Sequence, residues 1–436
     1  MKKNIKYSVV SAAVSLFMAN QAGAANTWSE ARNDAMGGTG VASANYGSAV
    51  LINPALLAKS QPDDDVSVVI PSVGGQITDK DNLRDQIDDI SDEIDHYKSV
   101  LDNLTPEGIL LDPGGTLNQF QSAAGDLAGQ LNDLRGKTAR ANAGAGIAVS
   151  VPTSAVSLAF VTKAYAHARV SSNIDQSDID YLHNIQNSDV FAATEAANAV
   201  LNGSDQITNN LNSTASGKAA IVSDYGIAIA RKFDIGGVPV SLGVTPKLQQ
   251  TWVYNYTTSI DNYHSDDWKD SKYRNDDTGF NVDAGIAADF GENWTVGLSG
   301  QNLMSRDIDT KDVRIKNNAT GVTTNYKDTY QIRPLVTAGV AWHTDLLTLT
   351  ADGDLTETKG FKTEDDSQYV GVGAEVTPLS WLAVRAGYRA DVKGNDSNVF
   401  TAGVGFAPLN TVHVDLMGLY GEDQTWGAGV QLGLTF

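Results

Sequence analysis

Long stretches of this chain alternate bulky apolar residues with small or polar ones. In the terminal segment Trp426, Ala428, Val430, Leu432, Leu434 and Phe436 share one face of an extended strand, and Gly427, Gly429, Gln431, Gly433 and Thr435 share the other. Phe280, Val282, Ala284, Ile286, Ala288 and Phe290 alternate in the same way with Asn281, Asp283, Gly285, Ala287 and Asp289. Val370 to Val376 and Leu382 to Tyr388 repeat the pattern, with Glu375, Arg385 and Arg389 on the second face. A period of two marks a strand with two unlike faces. Here the second face carries glycine and mid-strand charge, which fits a membrane barrel with apolar side chains toward lipid and polar ones toward a lumen.

Strands are expected from near residues 66, 139, 155, 218, 239, 278, 294, 329, 347, 366, 381, 398, 411 and 425. Short connectors (VPTS at 151–154, FGEN at 290–293, TPLS at 377–380, APLN at 407–410) alternate with long acidic ones at about 78–138, 172–217, 259–277, 309–328 and 358–366. Outer-membrane barrels alternate short periplasmic turns with long outer loops in this manner. An even strand number puts both chain ends on the periplasmic side. Trp252, Tyr254, Trp294, Trp342, Tyr388, Tyr420 and Trp426 lie near strand ends, where interfacial aromatic girdles sit. Phe436 would end the strand that closes the barrel, leaving no backbone edge in hydrocarbon.

Two of the long loops carry a helical period instead. Leu83, Ile87, Ile90, Ile94, Tyr97, Leu101 and Leu104 step by four and three, as do Leu117, Phe120, Ala124, Leu127, Leu131 and Leu134. TPEG and DPGG punctuate the interval, so the segment reads as a helical hairpin whose helices cover each other. A weaker helical stretch runs over about 188–212. These helices are expected to cap the outer mouth.

Composition adds a destination and removes several chemistries. The start has Lys2, Lys3 and Lys6, an apolar run from Val9 to Met18, and Ala22-Gly23-Ala24. That is the layout of a secretory signal cleaved after residue 24. No later window reaches 18 consecutive apolar residues, so spans by helices are not expected. The chain has no cysteine and a net charge of −21, which argues against nucleic acid as a partner. No nucleophile elbow, phosphate-binding loop or zinc-protease motif occurs, and no catalytic residue, metal site or cofactor is assigned. His413 and Asp415 would share the lumen face of one strand, without a nucleophile nearby. The acidic runs at 63–65 and 364–366 lack the spaced ligands of a calcium site. Asp283, Asp289, Glu375, Arg385 and Arg389 would project into the lumen with both signs present. Glu375 and Arg385, on neighbouring strands, could pair in a network around a plug or a narrow passage.

Residues 30–58 (EARNDAMGGTGVASANYGSAVLINPALLA) show neither helical stripe nor strand alternation. This stretch resembles the N-terminal hatch of the FadL-type family of outer-membrane transporters of long-chain fatty acids and other hydrophobic molecules. Gly37, Gly38 and Gly40 match that family's glycine turn, and Asn53, Pro54 and Ala55 its hatch motif. The resemblance implies a barrel plugged by its own N-terminus, with hydrophobic ligands passing by hatch movement or a side opening toward lipid. Over the full chain the sequence also resembles exported proteins labelled conjugal transfer protein TraF, a label that implies plasmid transfer or pilus assembly.

The expected organisation is therefore a signal peptide (1–24), a hatch (25–65) and an all-β transmembrane barrel of about 14 antiparallel strands (66–436). Helical insertions at about 79–136 and 174–217 lie in its outer loops. The expected location is the outer membrane of a Gram-negative bacterium. Two functions follow: passage of small hydrophobic molecules across that membrane, or an anchored scaffold that binds an envelope or conjugation protein. Neither is enzymatic. The partners would be membrane lipid, a hydrophobic small molecule and an envelope protein.

Overall fold

Fourteen strands hydrogen-bond in a closed antiparallel ring. The computed structural model describes residues 28–60, 66–153, 156–203, 211–260, 270–317, 321–408 and 411–436. The expected signal segment at 1–24 and the acidic run at 63–65 lie outside the described residues. In chain order the first seven wall strands are β1 (Ser67–Thr78), β2 (Thr138–Val151), β3 (Ser157–Asn173), β4 (Thr214–Ile235), β5 (Val238–Ser259), β6 (Arg274–Phe290) and β7 (Trp294–Gln301). Four short strands follow: β8 (Arg306–Asp309), β9 (Val313–Lys316), β10 (Thr323–Tyr326) and β11 (Thr329–Ile332). The wall resumes with β12 (Leu335–His343), β13 (Leu347–Asp354), β14 (Tyr369–Leu379), β15 (Leu382–Asp391), β16 (Val399–Phe406), β17 (Val412–Gly421) and β18 (Thr425–Thr435). β1 pairs with both β2 and β18, and the Phe436 amide donates to the Val66 carbonyl at 3.0 Å beside the seam.

The alternation read from the sequence sorts as expected. Phe280, Ile286 and Phe290 stand exposed on the outside, while Asn281 is fully buried inside. Trp294, Tyr420 and Trp426 are exposed at strand ends, whereas Trp252 and Tyr254 are half-covered against Ala166 and Ile221.

The wall is uneven in height. β4 and β5 run for 22 residues each, against 8 for β7 and β13. A membrane needs only about 9–11 tilted residues per strand, so one flank of the barrel continues well past the lipid. On its rim sit helices α2 (Leu83–Asp102), α3 (Pro106–Leu111), α4 (Pro113–Leu134), α5 (Gln176–Asn187) and α6 (Asp189–Asn202). Both insertions share one apolar core. Tyr97, Phe120, Leu127 and Leu131 of the first pack with Ile179, Leu182 and Ile185 of the second, above Ile174, Leu211 and Ile260 at the strand ends.

Three expectations need correction. The stretch placed at 188–212 is a pair of helices, 176–187 and 189–202. Ser188 breaks the run and caps the second helix through its side chain to the Phe191 amide. The strand placed from 329 splits. Residues 329–332 pair with 306–309 in a separate two-stranded sheet, and the wall strand begins at Leu335, past Pro334. Alternation alone does not say which sheet Tyr330 and Ile332 join; they bury against the inside of the tall flank. Finally, the helices stand over the strand ends of that flank, and Ile308, Tyr330 and Ile332 of the inner sheet with Phe361 of the 355–368 loop pack against the flank instead.

Truncating Leu127 at the centre of the helical core to alanine should cost about 2–5 kcal/mol there. Trypsin should then cut at Lys98, Arg135 or Lys137 while the barrel keeps its heat-modifiable migration in gels. Equal protection of variant and parent would show that this core does not hold the domain together.

Candidate functional site

Residues 28–60 occupy the lumen as three short turns of helix joined by tight bends. They are α1 (Ala31–Asp34) and 3-10 segments at Ala49–Leu51 and Pro54–Lys59. The chain winds close to the wall because the wall has shed its side chains where the two meet. A Cβ added at Gly373, Gly387, Gly243 or Gly285 would collide with Met36, Gly37, Pro54 or Asn53 in turn. The glycine-rich second face of the strands is thus a contact surface for backbone. Gly37 and Gly38 both adopt φ +75, the left-handed conformation that glycine takes without strain. Gly37 also presses on the Tyr388 carbonyl, 2.6 Å from where its Cβ would stand.

Asn53 and Pro54 build the second bend. The Asn53 side chain accepts from the Ala55 amide at 3.1 Å and donates to the Val41 carbonyl at 2.7 Å, with a longer bond of 3.5 Å to Ile286 of β6. Pro54 starts the short helix, where a missing N–H costs nothing.

Polar wall side chains satisfy the rest of the segment's backbone. Asp352 of β13 accepts from the Gly40 and Val41 amides at 2.7 and 2.9 Å. Thr401 of β16 accepts from the Gly37 amide and donates to the Ala35 carbonyl, both at 2.9 Å. Gln431 of β18 and Ser72 of β1 both accept from Ala31. Ser299 and Lys163 donate to the carbonyls of Ile52 and Leu51.

The lumen charges divide by task. Glu375 takes a bidentate pair from Arg32 of the lumen segment (2.7 and 3.0 Å) and a bond from Arg385 (2.6 Å), which also donates to Asp415 at 2.6 Å. The expected Glu375–Arg385 pair is present, and Arg32 is its third member. Asp289 holds Lys59 at 2.7 Å. Arg389 stacks between the rings of Trp28 and Tyr369, 4.8 Å from each centroid, and donates to Gln76. Asp283 does not touch the lumen segment; with Asp224 it neutralises the buried Lys247. His413 and Asp415 face one cavity, but Asp415 is committed to Arg385.

Outward of the segment lies an apolar cluster. Tyr165, Ala220, Val222 and Val253 of the tall flank are covered by Ile308, Tyr330 and Ile332 of the inner sheet and by Phe361 of the 355–368 loop. Phe361 packs edge-on to Tyr330 at 5.2 Å. Glu364 of the same loop lies 2.5 Å from His167 Nε2, whose Nδ1 lies 2.8 Å from Asn142 Oδ1. Burial alone would push the Glu364 carboxyl up; His167, with Arg169 and Arg140 near, outweighs burial and holds it below its ordinary value. Asp366 of the expected acidic run pairs with Lys359. Between this lid and the lumen segment lies a cavity of 80 Å³ touching Trp28, Tyr330 and Tyr369. At the end of the barrel with the short turns a polar cavity of 690 Å³ opens beneath, bounded by Arg32, Glu375, His343, His413 and Val69.

Among the described residues the wall is irregular at three places, one of them a shift between Val376 and Leu379 beside the β14–β15 turn. β1 holds one extra residue between Val69 and Ser72 relative to both neighbours, so Ile70 and Pro71 both turn outward. The β4–β5 ladder is interrupted between Gly226 and Ile229, opposite Thr245 and Pro246. Proline lacks the N–H that a ladder needs.

Sequence reasoning singled out Gly37, Gly38, Gly40, Asn53, Pro54 and Ala55 and the five charges Asp283, Asp289, Glu375, Arg385 and Arg389. It missed Asp352, Thr401, Gln431 and the wall glycines as partners of the segment, and the aromatic lid. Their shared signal, a small or polar residue on the lumen face, was visible, but the partner lies up to 401 residues away.

The family described as the TraF protein of the F plasmid transfer operon matches residues 50–354, more than two thirds of the chain. No curated protein matches in sequence. Among solved structures, the Ralstonia pickettii toluene transporter TbuX aligns with a TM-score of 0.52 at 11% identity, over 94% of this chain and 99% of that one. The CymD monoaromatic hydrocarbon channel gives 0.51 at 10% identity, over 94% and 97%. A Pseudomonas aeruginosa FadL homologue gives 0.50 at 10% identity, over 95% and 99%. At these identities the likeness is one of fold: a FadL-type barrel, resembling Gram-negative outer-membrane proteins.

Replacing Gly387 by leucine should unseat the lumen segment without breaking β15, and Arg32→Ala should weaken its hold by about 3–5 kcal/mol, because Glu375 and Asp415 then share Arg385 alone and one buried negative charge is uncompensated. Both variants should raise ion conductance in planar bilayers above that of the parent. Conductance at the parent level in both would show that these contacts do not hold the lumen shut.

Proposed function

The chain belongs to the TraF family of the F plasmid transfer operon, and for this member we propose a gated barrel that passes small hydrophobic molecules across the outer membrane. The observation that carries this reading is the apolar cluster beneath the 355–368 loop. It is an aromatic seat at the outer end of the lumen, lined by the wall and closed by side chains on a loop. A ligand that displaced Phe361 would bury its apolar surface against Tyr165, Val222 and Val253 and stand directly above residues 28–60. Passage then requires the lumen segment to shift, because its charged tethers fill the way to the periplasmic cavity. The bulge in β1 is the candidate side opening, since Val69 beside it borders that cavity. Fold likeness to hydrocarbon channels agrees with this reading.

The absence of native cysteine allows a clean lock. Cβ atoms at Trp28 and Gly74 lie 3.4 Å apart, close to the separation of about 3.5–4.5 Å found in disulfides. Cells carrying Trp28→Cys with Gly74→Cys should take up N-phenylnaphthylamine faster than cells lacking the protein only when the bond is reduced. Uptake that ignores the redox state would remove passage past this segment.

A second reading has its own support in the helical domain on the rim and in the family description: a barrel anchoring a scaffold that binds an envelope or conjugation protein. Replacing residues 83–134 by a short turn should then abolish partner capture and leave the barrel folded. Capture that survives this deletion counts against the scaffold.

A further inference from the structure

Helix α6 is covered on one side only. Ala192, Ala196 and Ala199 are buried in the core of the helical domain. Val190, Thr194, Ala197 and Leu201 follow one another at steps of four, three and four, which places them on a single helix face. All four are exposed, Val190 and Leu201 at 80% each. Large side chains at the two ends with threonine and alanine between make an uncharged trough about 16 Å long, the shape that receives a ridge of another helix.

The surroundings select the occupant. Residues 174–213 contain six acidic side chains and no lysine or arginine. Residues 79–137, 174–203 and 211–213 together hold 18 acidic against five basic residues, a net of −13 within the chain's −21. A second copy would bring the same sign to the same face, and an anionic lipid surface would be repelled as well. A cationic partner would be drawn in.

We propose that this face of α6 docks a basic amphipathic helix of a partner protein. The apolar stripe of that helix lies along Val190 to Leu201, and its lysines or arginines meet acidic flanks such as Asp189 and Glu195. The proposal deepens the scaffold reading and rests on it, adding the chemistry of the partner and the site it uses.

The test uses the full chain in nanodiscs of zwitterionic lipid, with empty nanodiscs as the blank. The probe is a fluorescent synthetic helix of leucine and lysine, titrated by anisotropy. Ala197→Arg places bulk and the wrong charge on an exposed position, and Leu201→Ser removes the end of the trough. Each should weaken binding about tenfold or more, and raising salt from about 50 to about 500 mM should weaken it further. A leucine–glutamate helix should not bind. Affinity unchanged in both variants, or equal for the acidic helix, overturns the proposal. Loss of binding only with Leu110→Ser and Leu111→Ser, two exposed leucines of α3, also overturns the α6 site while leaving the domain as the docking element. Binding that persists after replacement of both 83–134 and 176–202 by short turns counts against the scaffold reading itself.

Discussion

A closed sheet of fourteen strands encloses more space than its own inward side chains can fill. Eight strands suffice for side chains to meet across a barrel, and sixteen or more leave an aqueous channel. At fourteen the chain must supply filling from elsewhere, and most of the structure follows from how it does so. Residues 28–60 fill the middle, the inner sheet and the 355–368 loop fill the outer end, and the wall adapts to both. Where backbone passes, the wall is glycine. Where an amide or carbonyl would be stranded, the wall offers Asp352, Thr401, Ser299 or Gln431. Buried polar groups left without partners are costly, so the spacing of these residues follows the course of the lumen segment.

Charge is handled in the same way. Arg32, Glu375, Arg385 and Asp415 alternate in sign and are almost fully buried. Such a chain of pairs contributes less to net stability than its Coulomb energy suggests, because each ion has lost its water. Its value is positional: removal of any one member leaves the next uncompensated. Lys59 with Asp289, and Arg389 between Trp28 and Tyr369, fix the two ends of the segment in the same fashion. The outer end is closed differently, by aromatic packing and one His167–Glu364 contact on a loop.

Legibility followed the range of the interaction. Alternation is local, and it specified the wall, its two faces and the position of most strands. The heptad seam of 83–134 was equally local. The helix at 176–187 fell inside the helical insertion expected over 174–217 but outside the stretch placed at 188–212, because its apolar face, Ile179, Leu182 and Ile185, is short and surrounded by polar residues. The strand at 329–332 looked like wall because period two is identical in an inner sheet; only burial against Tyr165 and Val222 distinguishes it. Wall residues such as Asp352 carry no local sign of their partner. Their meaning lies in a segment some three hundred residues earlier, which no window sees.

The seam between β1 and β18 has a consequence for assembly. Glu30 accepts from the Gln431 side-chain amide and the Ala31 amide donates to its oxygen, and the lumen segment precedes β1 in the chain. The first thirty described residues therefore find their last partners only when the last strand arrives. Ring closure and filling of the lumen become one event, joining the two ends of the chain with some of the longest sequence separations it contains. A chain halted short of its final strand would be open at the side and loose in the middle at once.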